Sequence, residues 1–192
     1  GYLCYKKIGD PLRSRILSYY SFLYSSMNVL DEDTVLEGLP RALRLQMDLL
    51  VYKPIFVQLP LFWMCTPEEI LYLVQRLRPV MAMPGEALCR EGNLGIGLFL
   101  LMKGAVETTS STLPPATLTA VAAFGEKALR RKPSAATVRA MRFCELTVML
   151  HEDFSVVESL NSSLRRYIDK YILERQKNMC NSEESKHTQQ LR

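Results

Sequence analysis

Phe124-Gly125-Glu126, followed by Lys127-Ala128-Leu129, is the stretch of this chain best suited to holding a ligand. A strand that ends in Phe-Gly-Glu and passes into a short helix can present main-chain N–H groups to a phosphate. Gly125 lets a ligand approach the backbone closely, and the Glu126 carboxylate can accept hydrogen bonds from a ribose hydroxyl. The same residues also fit a plain turn and helix cap. Catalysis finds less support. No G-x-S-x-G, H-E-x-x-H or Walker A pattern occurs. Two histidines leave little for acid–base work: His151 opens a predicted helix and His187 lies in a polar tail. The chain is therefore not expected to be an enzyme. Cysteines at 4, 65, 89, 144 and 180 form no C-x-x-C pair, so no metal site is expected and they read as reduced, mostly buried thiols. Asn161-Ser162-Ser163 fits the glycosylation pattern, which is short enough to arise by chance.

The elements that must position these residues come from a chain of 192 residues, enough for one domain with a helical extension and a core that needs no staples. Hydrophobic residues at 48% and charged residues at 23% exclude a mainly disordered chain. A net charge of +4, from 24 basic and 20 acidic residues, is too balanced to argue for nucleic acid as a partner. The longest apolar run, Gly97 to Met102, is far short of the roughly 18–20 residues of a membrane span. No secretory h-region opens the sequence. The piece reads as soluble, and it is compatible with having been cut from a membrane protein.

The first sixty residues read as helices. Leu12, Ile16, Tyr19, Tyr20 and Leu23 recur at helical spacing behind Asp10-Pro11. A second helix is predicted from Asp31, and a third from Pro40 carrying Leu43, Met47, Leu50 and Val51, which Pro54 should kink or end. Thr66-Pro67-Glu68-Glu69 announces a fourth by a capping box. At Pro79 the pattern changes to short, often β-branched runs punctuated by glycine. Strands are predicted at 79–83, 87–90, 97–102, 105–110, 116–123, 136–140 and 144–150, with 110–115 as an exposed hairpin loop. Helix returns at His151, breaks near Asn161, and resumes with the stripe Leu164, Tyr167, Ile168, Tyr171 and Ile172. The stripe suits either a lid over a ligand or permanent packing on the strands.

Met83-Pro84-Gly85-Glu86, Arg90-Glu91-Gly92, Gly95, Gly104-Ala105-Val106, Phe124-Gly125-Glu126 and Val138-Arg139-Ala140 resemble the successive signposts of a cyclic-nucleotide-binding domain, one residue being missing after Glu126. Upstream, Leu12-Arg13-Ser14-Arg15-Ile16 with Tyr19-Tyr20, Asp31-Glu32, Leu39-Pro40, Leu43-Arg44 and Leu59-Pro60-Leu61-Phe62 are similar to the C-linker of hyperpolarization-activated and cyclic-nucleotide-gated channels. The resemblance runs from about Leu12 to Lys177. It implies an α+β fold: a helical C-linker over 1–64, then a cyclic-nucleotide-binding-like domain over 65–180. The latter would hold an antiparallel β-roll (a jelly roll) over about 79–150, a short phosphate-binding helix, and lid helices over about 151–178, before a polar tail at 181–192. It also implies a place on the cytoplasmic side of a membrane, partners that are other subunits of the same channel in a homotetramer, and cAMP or cGMP as the ligand. Lid closure would bias the pore through different ligand affinities for two states.

The chain departs from that family where its ligand is held. The family carries an arginine followed by threonine or serine after the short phosphate-binding helix, the arginine clamping the cyclic phosphate. Counting back from Val138-Arg139-Ala140 puts Ser134 and Ala135 in those places. Serine cannot supply a bidentate cation. The turn glycine usual before Phe-Gly-Glu is also replaced, by Ala120 and Val121. The degenerate site is thus Phe124, Gly125, Glu126, Lys127, Ala128, Ser134, Ala135 and Arg175, the last matching a lid-helix arginine that approaches the base. Lys127, Arg130, Arg131 and Lys132 are either an exposed basic loop or substitutes for the clamp. Tyr167 and Tyr171 have the size to fill an empty pocket. The expected function is a gating and assembly module of a tetrameric voltage-gated-type cation channel with weak or lost nucleotide binding. The alternative is a cAMP- or cGMP-regulated module with a substitute cation. A third reading is a soluble regulator on the same roll, either a kinase regulatory subunit or a transcription factor. The factor needs a helix-turn-helix after the lid, where only a short polar tail follows, and the kinase subunit would not need the C-linker pattern.

Overall fold

The structure, a computed structural model, describes residues 9–25, 38–112 and 114–175. The helix predicted from Asp31, the cysteines at 4 and 180, His187 and the tail at 181–192 lie outside these residues. The chain forms two compact units, Gly1–Met47 and Asp48–Arg192. No helix among the described residues is long and apolar enough to cross a membrane.

Helix α1 spans Asp10–Ser25, its first turn closed by the Arg13 N–H on the Gly9 carbonyl at 3.0 Å. Leu12, Leu17 and Tyr20 on it are each about half exposed, at 53%, 52% and 52%. Helix α2 spans Arg41–Gln58 and continues past Pro54, where the sequence pattern predicts a kink or an end; it does not end there. Proline removes one helical hydrogen bond, but Ile55 and Phe56, immediately after it, are 1% and 4% exposed, and their burial holds the last turns. A 3-10 turn, Pro60–Phe62, follows and sets Phe62 edge-on to Phe56 at 4.5 Å. Helix α3, Pro67–Val74, begins with the predicted capping box: the Thr66 N–H donates to Glu69 Oε2 at 2.8 Å and the Glu69 N–H to Thr66 Oγ1 at 3.3 Å.

Among the described residues, eight strands make two antiparallel four-stranded sheets. They are β1 Arg78–Ala82, β2 Ala87–Cys89, β3 Gly97–Lys103, β4 Ala105–Thr109, β5 Ala116–Thr119, β6 Ala122–Phe124, β7 Thr137–Ala140 and β8 Cys144–Leu150. One sheet has the order β1-β8-β3-β6, the other β2-β7-β4-β5. The run predicted as one strand over 116–123 is two. The chain leaves β5, paired to β4, and at Ala120 and Val121 crosses to the other sheet as β6, paired to β3. The pairing is interrupted where the chain changes sheet. Helix α4, His151–Leu160, follows β8 directly. After Asn161, whose Oδ1 accepts the Leu164 N–H at 3.1 Å, α5 runs over 162–175.

Strand β3 explains the longest apolar run of the sequence. Phe99 and Leu101 point between the sheets, into a core with Val106, Phe124, Val138, Leu146 and Val148. Leu98 and Leu100 point the other way, into a second core with Ile55, Phe62, Leu73, Leu129, Phe154, Leu164 and Ile168. A strand buried on both faces has no polar side to alternate with. The architecture is the expected one: helices with a β-roll of antiparallel sheets, and flanking helices packed on the outer face of one sheet. Leu164, Ile168 and Ile172 of α5 are 0%, 0% and 6% exposed, so the apolar stripe is packed on the roll.

Candidate functional site

Strand β6 delivers the Phe-Gly-Glu segment to the rim of the roll. Phe124 stacks on Phe99 at 5.3 Å, which anchors the strand end. Gly125 then turns at φ 82 and caps a 3-10 helix, Glu126–Arg130, here called the cassette helix. A side chain at 125 would be strained by that φ. Its Cβ would also stand 2.9 Å from the Gly97 carbonyl oxygen and 3.6 Å from Cys89 Sγ, so the protein's own packing already requires glycine. The Gly125 carbonyl takes the Ala128 N–H at 2.9 Å, and Ala128 is buried at 3%.

Ser134 lies beside this turn. Its N–H donates to the Asn93 carbonyl at 2.8 Å and its carbonyl accepts from the Gly92 N–H at 3.0 Å. Its hydroxyl bonds the Cys89 thiol. Burial pushes that thiol up to about 11; the Ser134 bond opposes the shift and the nearby Glu126 carboxylate adds to it. The Ala135 carbonyl accepts from Ser110 Oγ at 3.0 Å. Ser110 and Ser111, at the tip of the β4–β5 hairpin, are in turn tied to the Glu91 carboxylate, and these bonds hold that carboxyl below its ordinary range. The hairpin loop predicted as exposed is exposed at 111, 112, 114 and 115, and Ser110 and Ser111 tie its start to the roll.

The basic segment divides. Arg130 is no part of an exposed loop: its side chain is 13% exposed. Its Nε donates to Asp169 at 2.6 Å, Nη1 to Glu158 at 2.9 Å, and Nη2 to the Arg165 carbonyl at 3.2 Å. Burial alone would lower the guanidinium's pKa, but the bonds to Asp169 and Glu158 outweigh it and leave it raised. Arg130 therefore fastens the cassette helix to α4 and α5, with four of its five N–H hydrogens in hydrogen bonds and its charge shared by two carboxylates. Arg131 and Lys132 are exposed and Lys127 is half-buried. None of these three makes an ion pair among the described residues.

Arg175, near the end of the described part of α5, reaches back to the rim. Its Nη2 donates to the Ala123 carbonyl at 2.7 Å and its Nε lies 3.6 Å from Glu126 Oε1. Nη1 contacts the Tyr171 hydroxyl at 3.4 Å. The carboxylate suited to a ribose hydroxyl is therefore engaged by the lid. Tyr167 donates its hydroxyl to the Pro60 carbonyl at 2.8 Å, so it braces α5 on the turn after α2 and does not fill the roll. The structure sets Arg175 beside Glu126, and Gly125, Glu126 and Ser134 each beside Cys89. Residue patterns miss Cys89, Asn93, Glu158 and Asp169, which no local spacing connects to the cassette. Ser134, the position counted as the clamp, offers a hydroxyl and not a cation.

An eight-stranded roll interrupted by a Phe-Gly-Glu turn and short helix, with a helix packed across it, defines a class. Residues 79–157 match the family model for the cyclic nucleotide-binding domain. That segment is a cyclic nucleotide-binding domain homologous to those of cyclic nucleotide-gated channels. The chain is similar to a cyclic nucleotide-gated cation channel of Ictalurus punctatus, 29% identical over 127 residues that make up 65% of this chain and 19% of that protein. It is similar, at 27% over the same length and the same shares, to cyclic nucleotide-gated channel alpha-2 of Rattus norvegicus. A likeness to cyclic nucleotide-gated channel alpha-3 of Homo sapiens is 25% over 103 residues, 54% of this chain and 15% of that protein. The chain thus spans about a fifth of the length of these relatives, or less.

Proposed function

We propose that this chain is a non-catalytic gating and assembly module on the cytoplasmic side of a tetrameric, voltage-gated-type cation channel, one whose β-roll binds cyclic nucleotide weakly or not at all. The observation that carries the reading is Ser134. It occupies the place of the phosphate clamp, is bonded through both main-chain groups, and the neighbouring Arg130 is bound to the lid helices' carboxylates. Removing one partner of a desolvated charge pair costs about 2–5 kcal/mol, which is roughly 30-fold to several thousand-fold in affinity. The engagement of Glu126 by Arg175 supports the same reading. Assembly through a C-linker in the first 64 residues is supported by Leu12, Leu17 and Tyr20, apolar side chains left half exposed on α1.

Calorimetric titration with cAMP and cGMP tests this. The unmodified chain should show no saturable binding below millimolar ligand, and Ser134→Arg should gain at least about 30-fold. Micromolar binding by the unmodified chain would overturn the reading. It would favour the second one, a nucleotide-regulated module in which Lys127, Arg131 or Lys132, all without an ion pair among the described residues, replaces the clamp.

A further inference from the structure

Three connections meet at one end of the β-roll: 90–96 between β2 and β3, 110–115 between β4 and β5, and 131–136 between the cassette helix and β7. Hydrogen bonds fasten the first to the third. The Gly92 N–H donates to the Ser134 carbonyl at 3.0 Å, the Ser134 N–H donates to the Asn93 carbonyl at 2.8 Å, and Leu94 pairs with Pro133. Gly95 sits against the cassette helix: a Cβ there would stand 3.0 Å from Ala128 Cβ. Its neighbours Leu94 and Ile96 are turned outward, 67% and 63% exposed. Two large aliphatic side chains on either side of one glycine, on a fastened loop, make an apolar spot that the described residues leave uncovered. The charges of the three connections are mostly of one sign. They carry Arg90, Arg131 and Lys132 against a single acid, Glu91. The three cations are exposed, and none makes an ion pair among the described residues. Glu91 is tied to the β4–β5 connection, where the Ser111 N–H donates to its Oε2 at 2.9 Å and Ser110 Oγ to its Oε1 at 3.4 Å. Glu126, at the start of the cassette helix, is paired with Arg175.

We propose that this end of the roll docks on an anionic lipid surface. Leu94 and Ile96 enter the boundary between headgroups and acyl chains, and Arg90, Arg131 and Lys132 lie among the phosphates. A bilayer interface is the partner whose chemistry has both parts: an apolar layer that takes aliphatic side chains, and negative charge just above it for guanidinium and ammonium groups. Long basic side chains reach several bonds beyond their turns, so they can meet headgroups while the shorter Leu94 and Ile96 are submerged. At their exposure neither Leu94 nor Ile96 stands in a groove that would grip a peptide, and a lipid surface requires none. The hydrogen bonds between the two connections set the apolar and cationic residues in one fixed frame, so docking orders little that the fold has not already ordered. The surface acts without nucleotide and does not depend on how the roll's ligand site is read.

The test is co-sedimentation of the full chain with phosphatidylcholine vesicles, with and without phosphatidylserine. Binding is expected only with phosphatidylserine. It should weaken as salt rises, because the screening length contracts from about 10 Å at 0.1 M to about 3 Å at 1 M. Leu94→Ser with Ile96→Ser should weaken it by at least about tenfold, and so should Arg131→Gln with Lys132→Gln. All four side chains are exposed, so both variants should melt with the unmodified chain. Met141→Ser, at an exposed apolar residue between β7 and β8 at the other end of the roll, should leave binding unchanged. Binding that survives Leu94→Ser with Ile96→Ser would overturn the proposal, leaving only the general attraction of a basic protein to acidic lipid. Equal binding to phosphatidylcholine alone, or no binding to either vesicle, would also overturn it. So would capture of soluble polyglutamate in place of vesicles, which would mark the surface as one for an acidic protein segment.

Discussion

Ser134 has both main-chain groups and its hydroxyl engaged, so replacing it changes a side chain in a held backbone. That is why Ser134→Arg is an informative substitution: a new guanidinium would project from a position the fold already fixes. Arg175 gives a second residue-scale prediction. The channel resemblance implies that it approaches a base, whereas here it grips Ala123 and Glu126. Arg175→Gln should cost about 1 kcal/mol, below the roughly 1.5–3 kcal/mol of a hydrogen bond to a charged group because the side chain is partly exposed. Amide hydrogen exchange at the end of α5 should speed up before that of the roll. Cys89 gives a third, on pH. Its folded pKa of about 11 lies above the ordinary thiol value of 9.0 that holds in the unfolded chain. Stability is therefore unaffected by this group below pH 9 and falls as pH rises from 9 towards about 11, because only the unfolded chain ionises in that window. Denaturant midpoints measured from pH 8 to 11 should fall, and fall less steeply in Cys89→Ala.

At the scale of elements, the cassette helix is too short to hold itself in place, and Arg130 fastens it. The guanidinium bonds carboxylates on α4 and on α5 and a carbonyl of α5, so three elements meet on one side chain. Removing it would leave Glu158, 9% exposed, as an uncompensated buried charge. Arg130→Ala should cost about 3–5 kcal/mol, visible as a lowered denaturant midpoint. Glu158→Gln, which keeps a hydrogen-bond acceptor, should cost less. The sheet crossing between β5 and β6 belongs to the same scale. It is a change of pairing partner, and the residues at 116–123 alone, all compatible with a strand, carry no mark of it.

For the larger unit as a whole, the end of α2 and the turn that follows it are part of the roll's core. Ile55, Phe56, Leu59, Leu61 and Phe62 are all under a tenth exposed and pack with Leu98, Leu100 and the α4–α5 face. Each buried side chain of this kind contributes about 1.5–3 kcal/mol as an upper bound. Together they rival the whole stability of a domain, about 5–15 kcal/mol. The piece 48–192 should therefore fold alone and melt cooperatively, while 65–192 should be unfolded or aggregated by circular dichroism and sedimentation. The first piece also asks whether assembly resides upstream: the full chain should associate at high concentration and 48–192 should not.

Much of this was legible in the residues alone, because the signals are local. Thr66 and Glu69 cap within one turn, Phe124-Gly125-Glu126 fits a turn and helix cap, and the apolar run from Gly97 to Met102 marks a strand. The missing clamp at Ser134 follows from counting along the chain. The rest depends on groups far apart in sequence. Arg130 meets Asp169 across 39 residues and Arg175 meets Ala123 across 52. Pro54 stays inside its helix because distant side chains bury Ile55 and Phe56. A cap or a turn is settled by neighbours within a few bonds; an ion pair or a tolerated proline is settled by which surfaces the folded chain brings together, and no short spacing records that choice.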